Sequence, residues 1–387
     1  MPAPALPLAV LTHEFFPYRG DIAVYVEETA RAAVAAGYAV TVWAPDKPEL
    51  RAKPWPFALR AVAMRGTLDW GCRLALARAI GDARDDLAQS LVWLPEPGAL
   101  LTAMYLNALG RLPAKQLILT LHGSEILRFA GRPHRRWLFQ KLLDRANRVG
   151  VVSEFNRGLL QKHFRVSPEK IAVVPGALRS DFPEAMPPRA AKAPDAPIVL
   201  LTVGRVHPRK GQHCVLEALS QMNPPPRAAL EYQIAGPVVK HAYQAQLEAL
   251  AKKCGVTVKF LGPIPDADLP ARYAQADIFV MTPVPHGPSI EGFGLVYLEA
   301  AAAGLPVIAH RTGGVAEAVR NGVTGLVVEP DDRAGLAGAI SSLADNPQLR
   351  AQLAAAGQKR GRELSWAKNV AALFGELMEN GKWKMEK

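Results

Sequence analysis

Ser289-Ile-Glu-Gly-Phe-Gly-Leu-Val-Tyr-Leu-Glu-Ala-Ala-Ala-Ala-Gly304 is the stretch on which the reading of this chain turns. It carries two carboxylates, Glu291 and Glu299, separated by seven residues. Gly292, Phe293 and Gly294 open a helix expected over Leu295 to Ala303, and Gly304 followed by Pro306 stops it. A glycine-rich turn leading into a helix start leaves backbone N–H groups unpaired at the positive end of the helix dipole, which suits a phosphate. Glu291 would sit at the mouth of this turn. Glu299 would lie about two turns further in, on roughly the same side of the helix. One carboxylate beside a phosphate and another deeper suits recognition of hydroxyl groups rather than a metal. On spacing alone, a capped core helix with two solvated glutamates is an equal reading.

Outward from this stretch, strand and helix alternate. Ile198–Val203, Glu231–Ala235, Val256–Leu261, Asp277–Met281, Pro306–Ala309 and Gly325–Val328 read as short buried strands. Helices are expected over Gln212–Ser220, over 333–364 and over Trp366–Met378, followed by a basic tail, Lys382–Lys387. The first half repeats the pattern, with strands at 7–12, 38–43, 90–94, 116–121, 149–153 and 171–175. Helical stretches there are expected at 22–36, 74–87 and 99–109, whereas the proline-bearing segment 46–66 reads as irregular. Strand–loop–helix–strand units of this kind imply two parallel sheets covered by helices, hence two Rossmann-like domains. Residues 181–197 have proline spaced through them and no periodicity, so they read as a linker. The division expected is 1–182, a linker at 183–197, a second domain at 198–364, and a final helix in 365–387 that crosses back to the first domain.

With 387 residues, about half hydrophobic, the chain has material for two cores. No apolar run is long enough to span a membrane, and the N-terminus lacks the basic start of a signal peptide. Cys72, Cys214 and Cys254 are scattered and odd in number, which suits packing roles in a reducing cytoplasm. The net charge of +11 is uneven. Residues 1–180 hold 24 Lys and Arg against 15 Asp and Glu, while residues 181–387 hold 22 against 20. A surplus confined to one half points that half at something anionic. Arg128–Val149 concentrates it: seven Lys and Arg with Asp144 the only acid, alongside Trp137, Leu138, Phe139, Leu142 and Leu143. As a basic amphipathic helix it could lie in a membrane interface; as an ordinary helix its apolar side would pack on the sheet.

Other motifs narrow the chemistry. Gly204-Arg-Val-His-Pro-Arg-Lys-Gly211 follows the first strand of the second domain, and Arg205 and Lys210 would place two cations beside a helix start, as a diphosphate needs. His122 ends a buried strand and could be core, a cap, or a group facing a cleft. The first loop lacks G-x-G-x-x-G, which argues against a dehydrogenase. There is no Walker motif, no Ser-His-Asp arrangement, no zinc-like cluster and no nucleic-acid motif.

Together, Glu291-Gly-Phe-Gly-Leu…Glu299 and Gly204-Arg205…Lys210-Gly211 resemble the signature and diphosphate turn of the retaining family-4 glycosyltransferases, and the resemblance runs over nearly the whole chain. It implies the GT-B fold, two Rossmann-like domains facing across a cleft, with a UDP- or GDP-linked sugar as donor and no metal or other cofactor. By resemblance, Glu299 binds the ribose hydroxyls, while Glu291 and the backbone at Phe293, Gly294 and Leu295 hold the donor sugar and its phosphate. Arg205 and Lys210 grip the diphosphate, with Gly204 in their turn. His122 lies near the transferred sugar, Gly20 near the phosphates, and Gly262-Pro263 against the base. Two positions depart from the pattern: Asp21 stands where a second glycine is usual, and Gly176-Ala177-Leu178 replaces an Asn-Gly turn.

The activity expected is transfer of a hexosyl group, with retention, to a cell-envelope glycan or lipid-linked acceptor. It would take place in the cytoplasm, with the basic first domain resting on an anionic membrane. Lys210→Ala or Glu291→Ala is expected to abolish transfer with the fold intact. A nucleotide-sugar 2-epimerase on the same fold and a non-catalytic nucleotide-binding protein are the alternatives.

Overall fold

The computed structural model describes residues 7–18, 20–187, 193, 196–222 and 229–375. The chain divides into two compact units, Met1–Arg179 with Ser365–Lys387, and Ser180–Leu364. The tail Lys382–Lys387, the last turn expected of the final helix, and most of the proline-bearing stretch 188–195 lie outside the described residues.

The first unit is built on seven strands: β1 Leu8–Leu11, β2 Val40–Pro45, β3 Ala58–Val62, β4 Leu91–Leu94, β5 Gln116–Leu121, β6 Arg148–Val151 and β7 Ile171–Val173. They form one parallel sheet in the order β3-β2-β1-β4-β5-β6-β7. Central strands are buried on both faces, which is why Leu91-Val-Trp-Leu94 reads as a continuous apolar run. The direction of winding reverses between β1 and β4, where Leu8 pairs with Leu91, so the crevice for a ligand lies beyond their carboxyl ends.

Segment 46–66 is not irregular. It holds a short helix, Pro48–Ala52, and the edge strand β3. An edge strand has one neighbour and is largely open to water, so β3 lacks the apolar run that marks a central strand. Arg128–Val149 is not one helix either. Ser124–Ala130 ends at Gly131, Pro133–Arg145 starts a second helix, and Arg148 already belongs to β6. Leu138, Phe139, Leu142 and Leu143 are buried in the core beneath the sheet's helices, so the apolar side of this segment is not available to lie in a membrane. Trp137 alone stays exposed, with Lys141 Nζ 4.1 Å from its ring centre.

The second unit has six strands: β8 Ile198–Val203, β9 Leu230–Ala235, β10 Thr257–Gly262, β11 Ile278–Met281, β12 Val307–His310 and β13 Gly325–Val328. They too are parallel, in the order β10-β9-β8-β11-β12-β13. Here the winding reverses between β8 and β11, where Ile278 pairs with Leu200. Segment 333–364 is two helices, Arg333–Asp345 and Pro347–Glu363, split by Asn346, which caps the second through Leu349 N–H. The final helix, Trp366–Phe374, packs against helix Asp21–Ala35 of the first unit. Among the described residues no helix is long and apolar enough to cross a membrane.

Candidate active site

Two loops meet at the reversal point of the second unit. One leaves β8 as Gly204–Gly211, the other leaves β11 as Thr282–Gly294. They are tied by two hydrogen bonds to main-chain carbonyls: Val284 N–H donates to the Arg209 carbonyl at 2.9 Å, and the Thr282 Oγ1 hydroxyl donates to the Gly211 carbonyl at 2.8 Å. Lys210 is buried, and its aliphatic chain passes over Gly204, where an added Cβ would lie 3.8 Å from Lys210 Cε. Its ammonium donates to Glu291 Oε2 at 3.0 Å. Arg209 donates to the same oxygen at 2.5 Å. Burial by itself would raise the Glu291 carboxyl; Lys210 first and Arg209 second outweigh it and hold the group below the usual carboxylate range.

Glu291 is held from behind as well. Its carbonyl accepts from Gly314 N–H at 3.0 Å, and a Cβ at Gly313 would come within 2.0 Å of that oxygen. Gly313, at φ 55°, is therefore a close-approach position that a side chain would spoil. Gly294 begins helix Leu295–Ala302 at φ 92°, and a Cβ there would strike the Tyr297 ring at 2.7 Å. Gly294 offers no capping side chain, and among the described residues no side chain accepts from the N–H groups of Leu295 and Val296. Phe293 and Leu295 are buried beside it.

Other expected residues of the second unit have their own local partners. Glu299 is half-buried in the same helix, and its Oε2 accepts from Tyr273 Oη at 3.0 Å. Arg205 is exposed and has no ion pair among the described residues; its carbonyl accepts from Gln212 Nε2 at 3.0 Å. The second cation on Glu291 is Arg209, while Arg205, expected to grip a diphosphate, leaves the same turn with its side chain exposed. Arg209 follows Pro208 in a single 3-10 turn that brings it and Lys210 to one side, a geometry the spacing alone did not favour over Arg205. Gly262 ends β10 with its carbonyl accepting from Gly236 N–H at 2.7 Å, and Pro263 beside it is exposed.

In the first unit, Gly20 is exposed at the start of helix Asp21–Ala35, and a Cβ there would meet nothing within 4 Å. His122 leaves β5 half-buried, with Nε2 2.8 Å from the Pro95 carbonyl. A carbonyl only accepts, so Nε2 carries a proton, and in the neutral tautomer Nδ1 is the acceptor. Tyr25 sits edge-on to the His122 ring at 5.2 Å. At the reversal point of this sheet lie two groups that sequence reasoning passed over. His13 follows β1, fully buried, with neither ring nitrogen hydrogen-bonded among the described residues. Glu96 follows β4 and accepts from the N–H groups of His13, Gly98 and Ala99. Among the described residues no group of three or more His, Cys, Asp or Glu is placed to hold a metal ion. The one Asp-x-Asp of the chain, Asp266-Ala-Asp268, starts the short helix Leu269–Gln275.

Residues 22–181 match the family model "Glycosyltransferase Family 4", and residues 188–360 match "Glycosyl transferases group 1". A GDP-mannose-dependent alpha-(1-6)-phosphatidylinositol monomannoside mannosyltransferase of Mycolicibacterium smegmatis is 30% identical over 368 residues, 91% of this chain and 92% of that one. A D-inositol 3-phosphate glycosyltransferase of Corynebacterium glutamicum is 33% identical over 251 residues, 62% of this chain and 59% of the relative. Among solved structures, HepE of Anabaena with UDP and glucose superposes with a TM-score of 0.73 at 19% identity, covering 94% of this chain and 97% of its own. Sucrose-phosphate synthase of Thermosynechococcus elongatus gives 0.77 at 23% identity over 94% of this chain and 96% of its own. Two parallel-sheet units of seven and six strands, a family match along each, and the extended likeness to a mannosyltransferase agree: the chain belongs to the group 1 and family 4 glycosyltransferases of the GT-B fold.

Proposed function

We propose that the chain is a retaining hexosyltransferase that moves a sugar from a UDP- or GDP-linked donor to a cell-envelope glycan or lipid-linked acceptor, without a metal ion. The observation that carries this is the convergence of Arg209 and Lys210 on Glu291 Oε2 at the reversal point of the second sheet. One carboxylate against two cations leaves a net positive charge held in a buried, preorganised place. A departing nucleoside diphosphate gains negative charge as its bond to the sugar breaks, and fixed cations stabilise that charge without reorganisation. The helix start at Gly294–Leu295 adds N–H donors for the same phosphates. Glu299 would take the ribose hydroxyls and Gly262-Pro263 would back the base. His122, with its lone pair on Nδ1, would accept from a hydroxyl of the donor sugar. The leaving diphosphate would take the acceptor's proton.

Two names bear on the donor: the Mycolicibacterium relative is GDP-mannose-dependent, and HepE was solved with UDP-glucose. Thermal melting with UDP, GDP, ADP and their sugar conjugates, on the wild type and on Lys210→Met, tests the reading. A ligand that binds only the native state raises the melting temperature by mass action. One nucleotide should do so in the wild type and not in the variant, and its sugar conjugate should yield product of unchanged anomeric configuration. No shift from any nucleotide, or an inverted product, overturns it.

The basic surface of the first unit would rest on an anionic membrane at the cytoplasmic face, by charge rather than insertion, because the apolar side of Pro133–Arg145 is spent on the core. Sedimentation with anionic vesicles at low salt, and release as salt is raised, checks this; equal sedimentation with neutral vesicles counts against it.

A further inference from the structure

A cavity lies in the second unit, outside the cluster at Glu291. Helices Gln212–Ser220 and Arg333–Asp345 pack side by side, and their N-terminal ends meet the exits of β11, β12 and β13. This open-mouthed space holds about 620 Å³, within the usual range for a small-molecule site. Cys214, Val284 and Leu336 give it an apolar lining, while His310, Glu217 and Asp331 give it polarity.

The polar groups differ in what they have left to offer. Glu217 is paired with Arg333 at 3.0 Å, so that charge is compensated. Asp332 accepts from Gly335 N–H at 2.7 Å through one oxygen and has no ion pair among the described residues. Asp331, at the exposed rim, has no hydrogen bond or ion pair from its side chain among the described residues. His310, the last residue of β12, is only 1% exposed, yet it lines the cavity. Its Nδ1 lies 3.3 Å from the Pro283 carbonyl and so carries the proton. Nε2 therefore holds a lone pair, and among the described residues nothing donates to it. Burial first of all pushes this imidazole down to about 4, so it stays a neutral acceptor at neutral pH.

What remains open is thus carboxylate charge at the rim, on Asp331 with Asp332 beside it, and one acceptor nitrogen within, around a partly apolar lining. A ligand that answers both brings N–H donors, positive charge and a hydrocarbon body. We propose that this cavity binds a linear aliphatic polyamine, with one ammonium at Asp331 and another at His310 Nε2. The proposal stands apart from the donor-site reading, since it uses none of the groups at Glu291.

Calorimetric titration of the full chain with spermidine at low ionic strength tests it, with 1,4-butanediol as the uncharged control. Asp331→Asn removes the rim charge at an exposed position. His310→Asn keeps an N–H for the Pro283 carbonyl and removes the inner lone pair. Saturable one-site binding of spermidine is expected, weakened at least fivefold in each folded variant, with none for the diol. No saturable heat, an unchanged dissociation constant in Asp331→Asn, or equal binding of the diol overturns the proposal. Should His310→Asn fail to fold, Asp331→Asn decides alone.

Discussion

Lys210 and Glu291, 81 positions apart in the chain, stand 3.0 Å from Nζ to Oε2 with only 6% and 4% of their surfaces exposed. Burying either charge alone would be costly, and together they compensate, with Arg209 on the same oxygen. The pair is thus part of the fold of the second unit as well as its candidate site. That alters the expectation from sequence that alanine at either position would leave the fold intact.

Removing one member of a buried pair strands the other, at a typical cost of about 3–5 kcal/mol. Glu291→Gln should therefore lower stability by roughly that much at neutral pH, besides abolishing transfer. The Glu291 carboxyl is held below its ordinary value, so its contribution is present above the unfolded carboxylate value of about 4.3 and fades as pH falls through the folded one. Urea titrations at pH 7 and in acid should show the gap between wild type and variant closing in acid. A variant as stable as wild type at pH 7 would remove the claim.

Much of this was legible in the chain itself. Central strands announce themselves as apolar runs because both of their faces are covered, and both sheets could be read that way. The edge strand β3 could not, since its exposure pattern follows neither a run nor an alternation. Lys210 and Glu291 were legible from the loops that carry them. Arg209 was not, because which arginine of Gly204–Gly211 reaches Glu291 depends on a 3-10 turn at Pro208–Lys210. Gly313 lay equally beyond reach: its need for hydrogen in place of a side chain comes from the Glu291 carbonyl, brought up by a different loop. Of the two readings of Arg128–Val149, the structure bears out the ordinary helix with its apolar side in the core, and sequence could not choose between them for a related reason. A 3.6-residue period shows that a face is apolar, not whether lipid or the rest of the protein covers it.

Two histidines set a second pH window. Burial first, then the nearby Arg73 charge, pushes His13 down to about 4, and burial does the same for His310. Both stay neutral in the fold where an unfolded chain would begin to protonate near 6.5. Between those values the unfolded state binds more protons, so stability should fall as pH drops from about 6.5 to about 4, by up to roughly 3 kcal/mol for each histidine. Denaturant midpoints of His13→Gln and His13→Asn should show a flatter slope across that window than wild type, and an unchanged slope in both would contradict the assignment.

Trp366 fastens the final helix to the first unit. Its Nε1–H donates to the Leu178 carbonyl at 2.7 Å, and its ring meets Tyr25 edge-on at 5.2 Å. Tyr25 in turn donates to the Val174 carbonyl at 2.9 Å and packs edge-on against His122. Removing the indole should therefore do two things. Trp366→Ala leaves a cavity in a buried ring stack, costing about 3–5 kcal/mol, and frees Tyr25 to shift away from His122, lowering turnover beyond what stability explains. Trp366→Phe keeps a ring against Tyr25 and loses only the hydrogen bond, at about 1 kcal/mol. Denaturation midpoints and turnover of the two variants separate these effects. If phenylalanine costs as much stability as alanine, the hydrogen bond and not the ring stack holds the helix. If alanine leaves turnover at the wild-type level where the variant is still fully folded, Tyr25 does not position His122.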